Sequence, residues 1–203
     1  MHLNQEPPSQ LFVSPVPASA RRIEAPAPPL SGAATWEARY ERASTILAGA
    51  HDDEARFHGL RDTAKAAFEL GKIDEARRDA QALLDLAPQF PHNWNYGNAI
   101  HDGHMVLGRI AARAGDLTAA KRELLEAGRT PGSPQLGSYG PSMSLAKDLL
   151  ERNEAATVVE YFGLCGAFWD GEPVGGKAST KLESWTRIAK AGEIPDFGPT
   201  LRY

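Results

Sequence analysis

Glu69-Leu70-Gly71-Lys72-Ile73-Asp74-Glu75-Ala76 and Arg113-Ala114-Gly115-Asp116-Leu117-Thr118-Ala119-Ala120 carry one pattern twice. In each, an apolar-periodic run meets a glycine, a short polar turn follows, and an alanine stands a few residues on. Glycine adopts the left-handed conformation that closes a helix at little cost, so each copy reads as helix, tight turn, helix. Self-similarity of this kind marks a repeat architecture. Stacked helix pairs chiefly build surfaces for partners, so the pattern favours binding over catalysis.

Upstream of Gly71, residues Phe57, Leu60, Ala64, Ala67 and Phe68 keep the i, i+3, i+4, i+7 spacing of an amphipathic helix, with Asp52 or Asp53 as its N-cap. Downstream, Asp74 is the expected cap of a helix carrying Ala76, Ala80, Leu83, Leu84 and Leu86, which Pro88 and Pro91 stop. An earlier helix begins near Thr35 or Trp36 and ends at Gly49. Beyond the first copy, His101, His104, Met105, Leu107, Ile110 and Ala111 continue a helix into Gly115, and its partner runs from Leu117 to about Ala127 with Gly128 as cap. Thr130 to Pro141 is rich in Gly, Ser and Pro and reads as a loop. A third pair follows, with Met143, Leu145, Ala146 and Leu149 before the turn and Val158, Val159, Phe162 and Cys165 after it. Asn153 holds its turn slot. Gly171–Gly176 is a loop, and Thr180 to Ala191 is a last amphipathic helix capped by Gly192. No segment alternates with period two, so the fold class is all-α: an irregular α-solenoid of about three antiparallel helix pairs with flanking helices. The domain reading is a proline-rich arm over 1–33, disordered or strap-like, a helical domain over 34–194 and an irregular tail over 195–203.

Composition bounds the function. The 203 residues carry a net charge of −4, whereas a general nucleic-acid binder is usually basic. One cysteine excludes an intrachain disulfide framework and a cysteine-based zinc cluster. No run of eighteen apolar residues exists to span a membrane. Seven of the fifteen prolines fall between Pro7 and Pro29, which disfavours helix and central strand there. The N-terminus lacks the basic and apolar regions of a signal peptide, and a cytoplasmic protein is the expectation.

The repeat resembles the tetratricopeptide repeat. That family pairs small residues at helix crossings with a turn glycine, an alanine in the second helix and a proline at the exit. The first copy supplies Ala64, Gly71, Ala76, Leu83 and Pro88, and the second Leu107, Gly108, Gly115, Ala120, Ala127 and Pro131. The third, with Leu145, Ala146, Asn153, Val158 and Cys165, is degenerate. Gly71 to Gly115 is 44 residues and Gly115 to Asn153 is 38, against about 34 for a plain repeat. About ten residues are therefore inserted around Pro91–Ile100. The resemblance covers about residues 57–172.

In this family the first helix of each pair lines a concave groove. Carried over, that face holds Arg61, Lys65 and Phe68, then Met105, Arg109 and Arg113, then Met143 and Lys147. The resemblance thus implies a non-catalytic scaffold or adaptor. Its cations grip the carboxylates of a protein or peptide, while Phe68 and the two methionines add apolar contact. No cofactor is expected. Trp94 and Tyr96, in the insertion, are candidate aromatic anchors.

Two alternatives remain at this level. One is a metal-binding accessory protein or enzyme using His92, His101 and His104, the only ligand-like cluster. Against it, Asp102 points about 100° away from His101 on a helix, and the family slot of His104 favours a buried histidine. The other is a self-associating module using the arm or the exposed aromatics. Cys165 occupies an inward slot and reads as packing. Gly171-Glu172-Pro173-Val174-Gly175-Gly176-Lys177 lacks the glycine spacing and the Ser/Thr of a phosphate loop.

Overall fold

A computed structural model describes residues 32–169 and 178–201. Most of the proline-rich arm, the Gly171–Gly176 loop and the last two residues of the tail lie outside the described residues. The described residues are helical and contain no strand, as the periodicity predicts. The helices are α1 (Gly32–Ala48), α2 (Asp53–Glu69), α3 (Ile73–Leu86), α4 (Tyr96–Arg113), α5 (Leu117–Gly128), α6 (Pro134–Tyr139), α7 (Ser144–Leu150), α8 (Ala155–Cys165) and α9 (Ala178–Lys190). Short 3-10 turns lie at Ala87–Gln89 and Gly198–Leu201.

The turn residues behave as their chemistry requires. Gly71 has φ +75°, Gly115 +82° and Asn153 +64°. In each case the amide after the turn residue reaches back to the same carbonyl position: Lys72 to Ala67 at 2.9 Å, Asp116 to Ala111 at 3.0 Å and Glu154 to Leu149 at 3.0 Å. The turn residue's own amide closes the shorter loop, to Phe68, Ala112 and Leu150 respectively. This double closure is the Schellman motif, and it satisfies carbonyls that the helix end leaves open. Asn153 can substitute for glycine because its short polar side chain tolerates the left-handed region. Gly192 ends α9 in the same way, with φ +81°.

Each of α1 to α5 packs on its chain neighbour, α2 also meets α4, α4 also meets α7, and α5 meets α7 and α8. Small residues allow this. Ala64, Ala67, Ala76 and Ala80 are buried in one cluster with Val106 and Ile110. At Gly108 a Cβ would lie 2.3 Å from Leu145 Cδ2 and 3.0 Å from Glu123 Cβ, so α4 meets both α5 and α7 there. The largest cluster joins α5, α7, α8 and α9 through Leu124, Leu149, Phe162 and Trp185.

Several local expectations are corrected. Asp74 does not cap α3: Lys72 holds that position and no side chain bonds there. Asp52 does cap α2, accepting from Ala55 N at 2.8 Å. α1 begins at Gly32, ahead of Thr35. Gly128 is the last residue of α5 and not its cap. A Cβ there would stand 3.0 Å from Leu164 Cβ, so the glycine serves the approach of α8. The expected loop over 130–141 contains α6, because Ser133 caps Leu136 N at 3.0 Å and Pro134 opens the helix. The irregular tail, with its 3-10 turn, lies on the core: Phe197 is buried against Phe162 and Trp185, and Thr200 accepts from Met143 N at 3.0 Å.

Candidate functional site

Arg61 and Lys65 are one turn apart on α2, so they share a face. That face meets α4 at Asp102. Lys65 Nζ is 3.0 Å and Arg61 Nε 3.6 Å from Asp102 Oδ2. The other carboxylate oxygen lies 2.9 Å from His101 Nδ1. His101 is buried, and its Nε2 stands 3.3 Å from the hydroxyl of Tyr161, which donates to the Ser142 carbonyl at 2.9 Å. Burial pushes the Asp102 carboxyl up. The Lys65 charge, the hydrogen bond and charge of His101 and the Arg61 charge outweigh burial and hold it well below the usual carboxylate range. Asp102 therefore does not turn away from His101. Neighbouring Cβ atoms diverge, but the two side chains reach each other across that angle.

Around this ion cluster lies an amide network. Arg61 Nη1 donates to Asn95 Oδ1 at 3.2 Å and to Gln135 Oε1 at 3.1 Å. Asn98 Nδ2 donates to the same two oxygens, each at 3.1 Å, and Asn98 Oδ1 accepts from Ser133 at 2.7 Å. Helix α6 is thereby stitched onto α4 and α2.

Two adjoining clefts open here. One, of about 270 Å³, is lined by Trp36, Arg39, Arg42, Ala43 and Ile46 of α1, by Arg61, Asp62 and Lys65 of α2, and by Gln135. The other, of about 480 Å³, is lined by Lys65, Asn98, His101 and Asp102, by Gln135, Leu136 and Tyr139 of α6 with the Gly140–Ser142 segment, and by Pro199 and Thr200. Lys65 and Gln135 line both.

The remaining predicted cations sit elsewhere. Arg109 Nη1 is 2.6 Å from Glu69 and its Nε 3.2 Å from Asp148, so it ties α2, α4 and α7 together. Its guanidinium lies 4.5 Å from the Phe68 ring centre, with Arg113 at 5.4 Å. Lys147 pairs with Glu151. Here Arg109, Arg113 and Arg152 share a shallow cleft with Glu69, Asp148 and Glu151, so the charges balance. Of the expected apolar contacts, Met105 and Met143 are fully buried in the core and cannot touch a ligand, and Phe68 is 7% exposed. Both methionines belong to the largest buried cluster, where α4 packs on α7.

Trp94 is 60% exposed and stacks on His58, with centroids 5.7 Å apart. Tyr96, the other candidate anchor, starts α4 and packs half-buried on a cluster that includes Phe57 and Leu83. The three histidines do not converge. His92 is exposed, His101 turns to Asp102, and His104 Nδ1 meets Glu123 at 2.8 Å. The buried histidine is thus His101, not His104. Among the described residues no three His, Cys, Asp or Glu side chains are grouped as a metal ion needs. No helix among the described residues is long and apolar enough to cross a membrane.

Arg39, Arg42, Gln135 and Tyr139 line these clefts without having been expected to. For Arg39 and Arg42 a signal existed: they are i, i+3 on the helix that opens the array. Nothing local marks Gln135 or Tyr139, because their helix reads as a loop. No protein-family model, curated protein or solved structure matches the chain.

Proposed function

We propose that this protein is a non-catalytic scaffold or adaptor that grips an acidic segment of a partner protein, and that its helices form an irregular tetratricopeptide-like solenoid of about three antiparallel pairs. The repeated Schellman closures and the packing of α2 on α4 and of α4 on α7 support the architecture. The observation that carries the function is the charge of the α1–α2 cleft. Arg39, Arg42, Arg61 and Lys65 line it, against Asp62 in its wall and Asp102 paired with Arg61 and Lys65, so the four cations exceed the two acids. A protein of net charge −4 concentrates cations at one concave place. Carboxylates entering there meet guanidinium groups suited to charge-assisted hydrogen bonds, and Trp36 and Ile46 give apolar surface beside them. The balanced Arg109 cleft offers no such excess, so the basic groove contracts to its α1–α2 end.

The test is binding of fluorescein-labelled acidic peptides at low and high salt. Binding weakens as salt rises, and Arg39→Glu with Arg42→Glu lowers affinity about tenfold or more, since two attractive rim charges become repulsive. Binding that ignores salt, or that survives both charge reversals, overturns the proposal.

A further inference from the structure

We infer that the acidic segment carries an aromatic side chain close to its acids, and that Tyr139 receives this ring in the adjoining cleft. The inference rests on the peptide-binding reading and adds a second recognition element to it.

Tyr139 is 78% exposed, at the rim of a cleft that runs on from the cationic one through Lys65 and Gln135. Large exposed rings on a concave rim are informative in a way that scattered surface apolar residues are not. The backbone that carries this ring is held in place. Its helix is anchored by buried Leu136 and capped by Ser133. The next residue, Gly140, lies against Trp169 so closely that a Cβ would sit 2.7 Å from the indole ring. Pro199 and Thr200, which also line this cleft, are held by the Met143 N to Thr200 O bond of 3.0 Å.

Part of the lining is polar, but its groups are engaged by the protein. Asn98 bonds to Asn95, Gln135 and Ser133, and His101 faces Asp102 and Tyr161. What the cleft adds for a ligand is therefore its exposed apolar surface: the Tyr139 ring and Pro199. An aromatic side chain fits that chemistry by stacking on the phenol ring and packing on proline. The cleft volume of about 480 Å³ is ample for one ring. Because the two clefts share Lys65 and Gln135, a carboxylate in the first and a ring in the second belong to one short segment. Trp94, the other exposed ring, stacks on His58 and lines neither cleft.

The experiment uses the full chain and three labelled peptides. One carries an acidic triplet alone, one the triplet with a phenylalanine one to three residues away on either side, and one the phenylalanine with the acids replaced by glutamine. The combined peptide is expected to bind about three- to tenfold tighter than the acidic one. Tyr139→Ala removes that gain, while Tyr139→Phe retains it. No gain from the ring, or a gain that survives Tyr139→Ala, overturns this inference and leaves the acidic-segment reading standing. Failure of the acidic peptide to bind overturns both. Binding of the glutamine peptide as tight as the combined one also overturns the inference, because the acid then contributes nothing.

Discussion

Lys65 Nζ lies 3.0 Å from Asp102 Oδ2, an ion pair that fastens α2 to α4 beneath the cationic cleft. Both side chains are largely buried, at 12% and 10% exposed. Removing one partner of such a pair leaves the other charge without compensation, whereas a matched apolar replacement of both need not be costly. Asp102→Ala is therefore expected to cost about 3–5 kcal/mol, read from urea unfolding. A loss below about 1 kcal/mol, the range of exposed pairs, would contradict the burial on which the site description depends.

The same carboxylate gives a pH dependence of defined sign. Its folded pKa is depressed, so the stability it supplies is present above the unfolded value of about 3.9 and is lost as pH falls below that value toward the folded one. Urea midpoints of the wild-type chain are expected to fall between about pH 5 and pH 3. Asp102→Asn starts from a lower midpoint than wild type and shows the shallower slope. Equal slopes would show that Asp102 is not the linked group.

The turns were the most legible part of the chain, because a closing residue acts locally. Gly71, Gly115 and Asn153 need only the left-handed region and the backbone amide that follows, and both are written within six residues. Helix register put Arg61 and Lys65 on one face, but their pairing with Asp102 appears only in the structure. What the sequence hid was long-range. Gln135 meets Arg61 across 74 residues, and its helix is too short for a hydrophobic period to appear. Met105 and Met143 looked like groove residues because the family resemblance assigns a helix face but not how closely the next helix covers it. The α4–α7 approach at Gly108 decides that, and it depends on Leu145.

Gly97 separates a backbone contact from a conformational preference. Its φ is ordinary, yet a Cβ there would fall 1.8 Å from the Gly132 carbonyl oxygen, and backbone cannot yield as a side-chain end can. Gly97→Ala is expected to displace the 130–133 segment and to destabilise by more than Gly71→Ala. At Gly71 a Cβ meets nothing within 4 Å, and the cost is only that of φ +75°, about 1 kcal/mol. Thermal unfolding of the two variants ranks them. A Gly97→Ala protein as stable as wild type would show that the close approach is not maintained.

Arg109 contacts Glu69 at 2.6 Å, Asp148 at 3.2 Å and the Phe68 ring face at 4.5 Å. Lysine keeps the charge but can neither fork between two carboxylates nor lie flat on a ring. Arg109→Lys is expected to cost about 1 kcal/mol at this partly buried site. The cost should vanish in a Glu69→Gln, Asp148→Asn background if the carboxylates carry it. If it persists there, the Phe68 contact carries it, and a double-mutant cycle with Phe68→Leu then shows the coupling.

Cys165 is fully buried between α8 and the large cluster, and burial pushes its thiol well above the ordinary range, a rise that its Tyr161 contact reduces but does not cancel. A thiol kept protonated and out of solvent is a poor nucleophile. The chain holds this one cysteine, so a thiol reagent reports on it alone. Labelling by an aromatic disulfide reagent at pH 8 is expected to follow unfolding of the core, slow in buffer and rising with urea in step with the loss of helicity. Asp102→Ala, which loosens the Lys65–Asp102–His101–Tyr161 chain leading to the same helix, should speed labelling by the factor its stability loss implies. Rapid labelling of the native wild-type protein would instead place Cys165 at an accessible surface and reopen it as a reactive group.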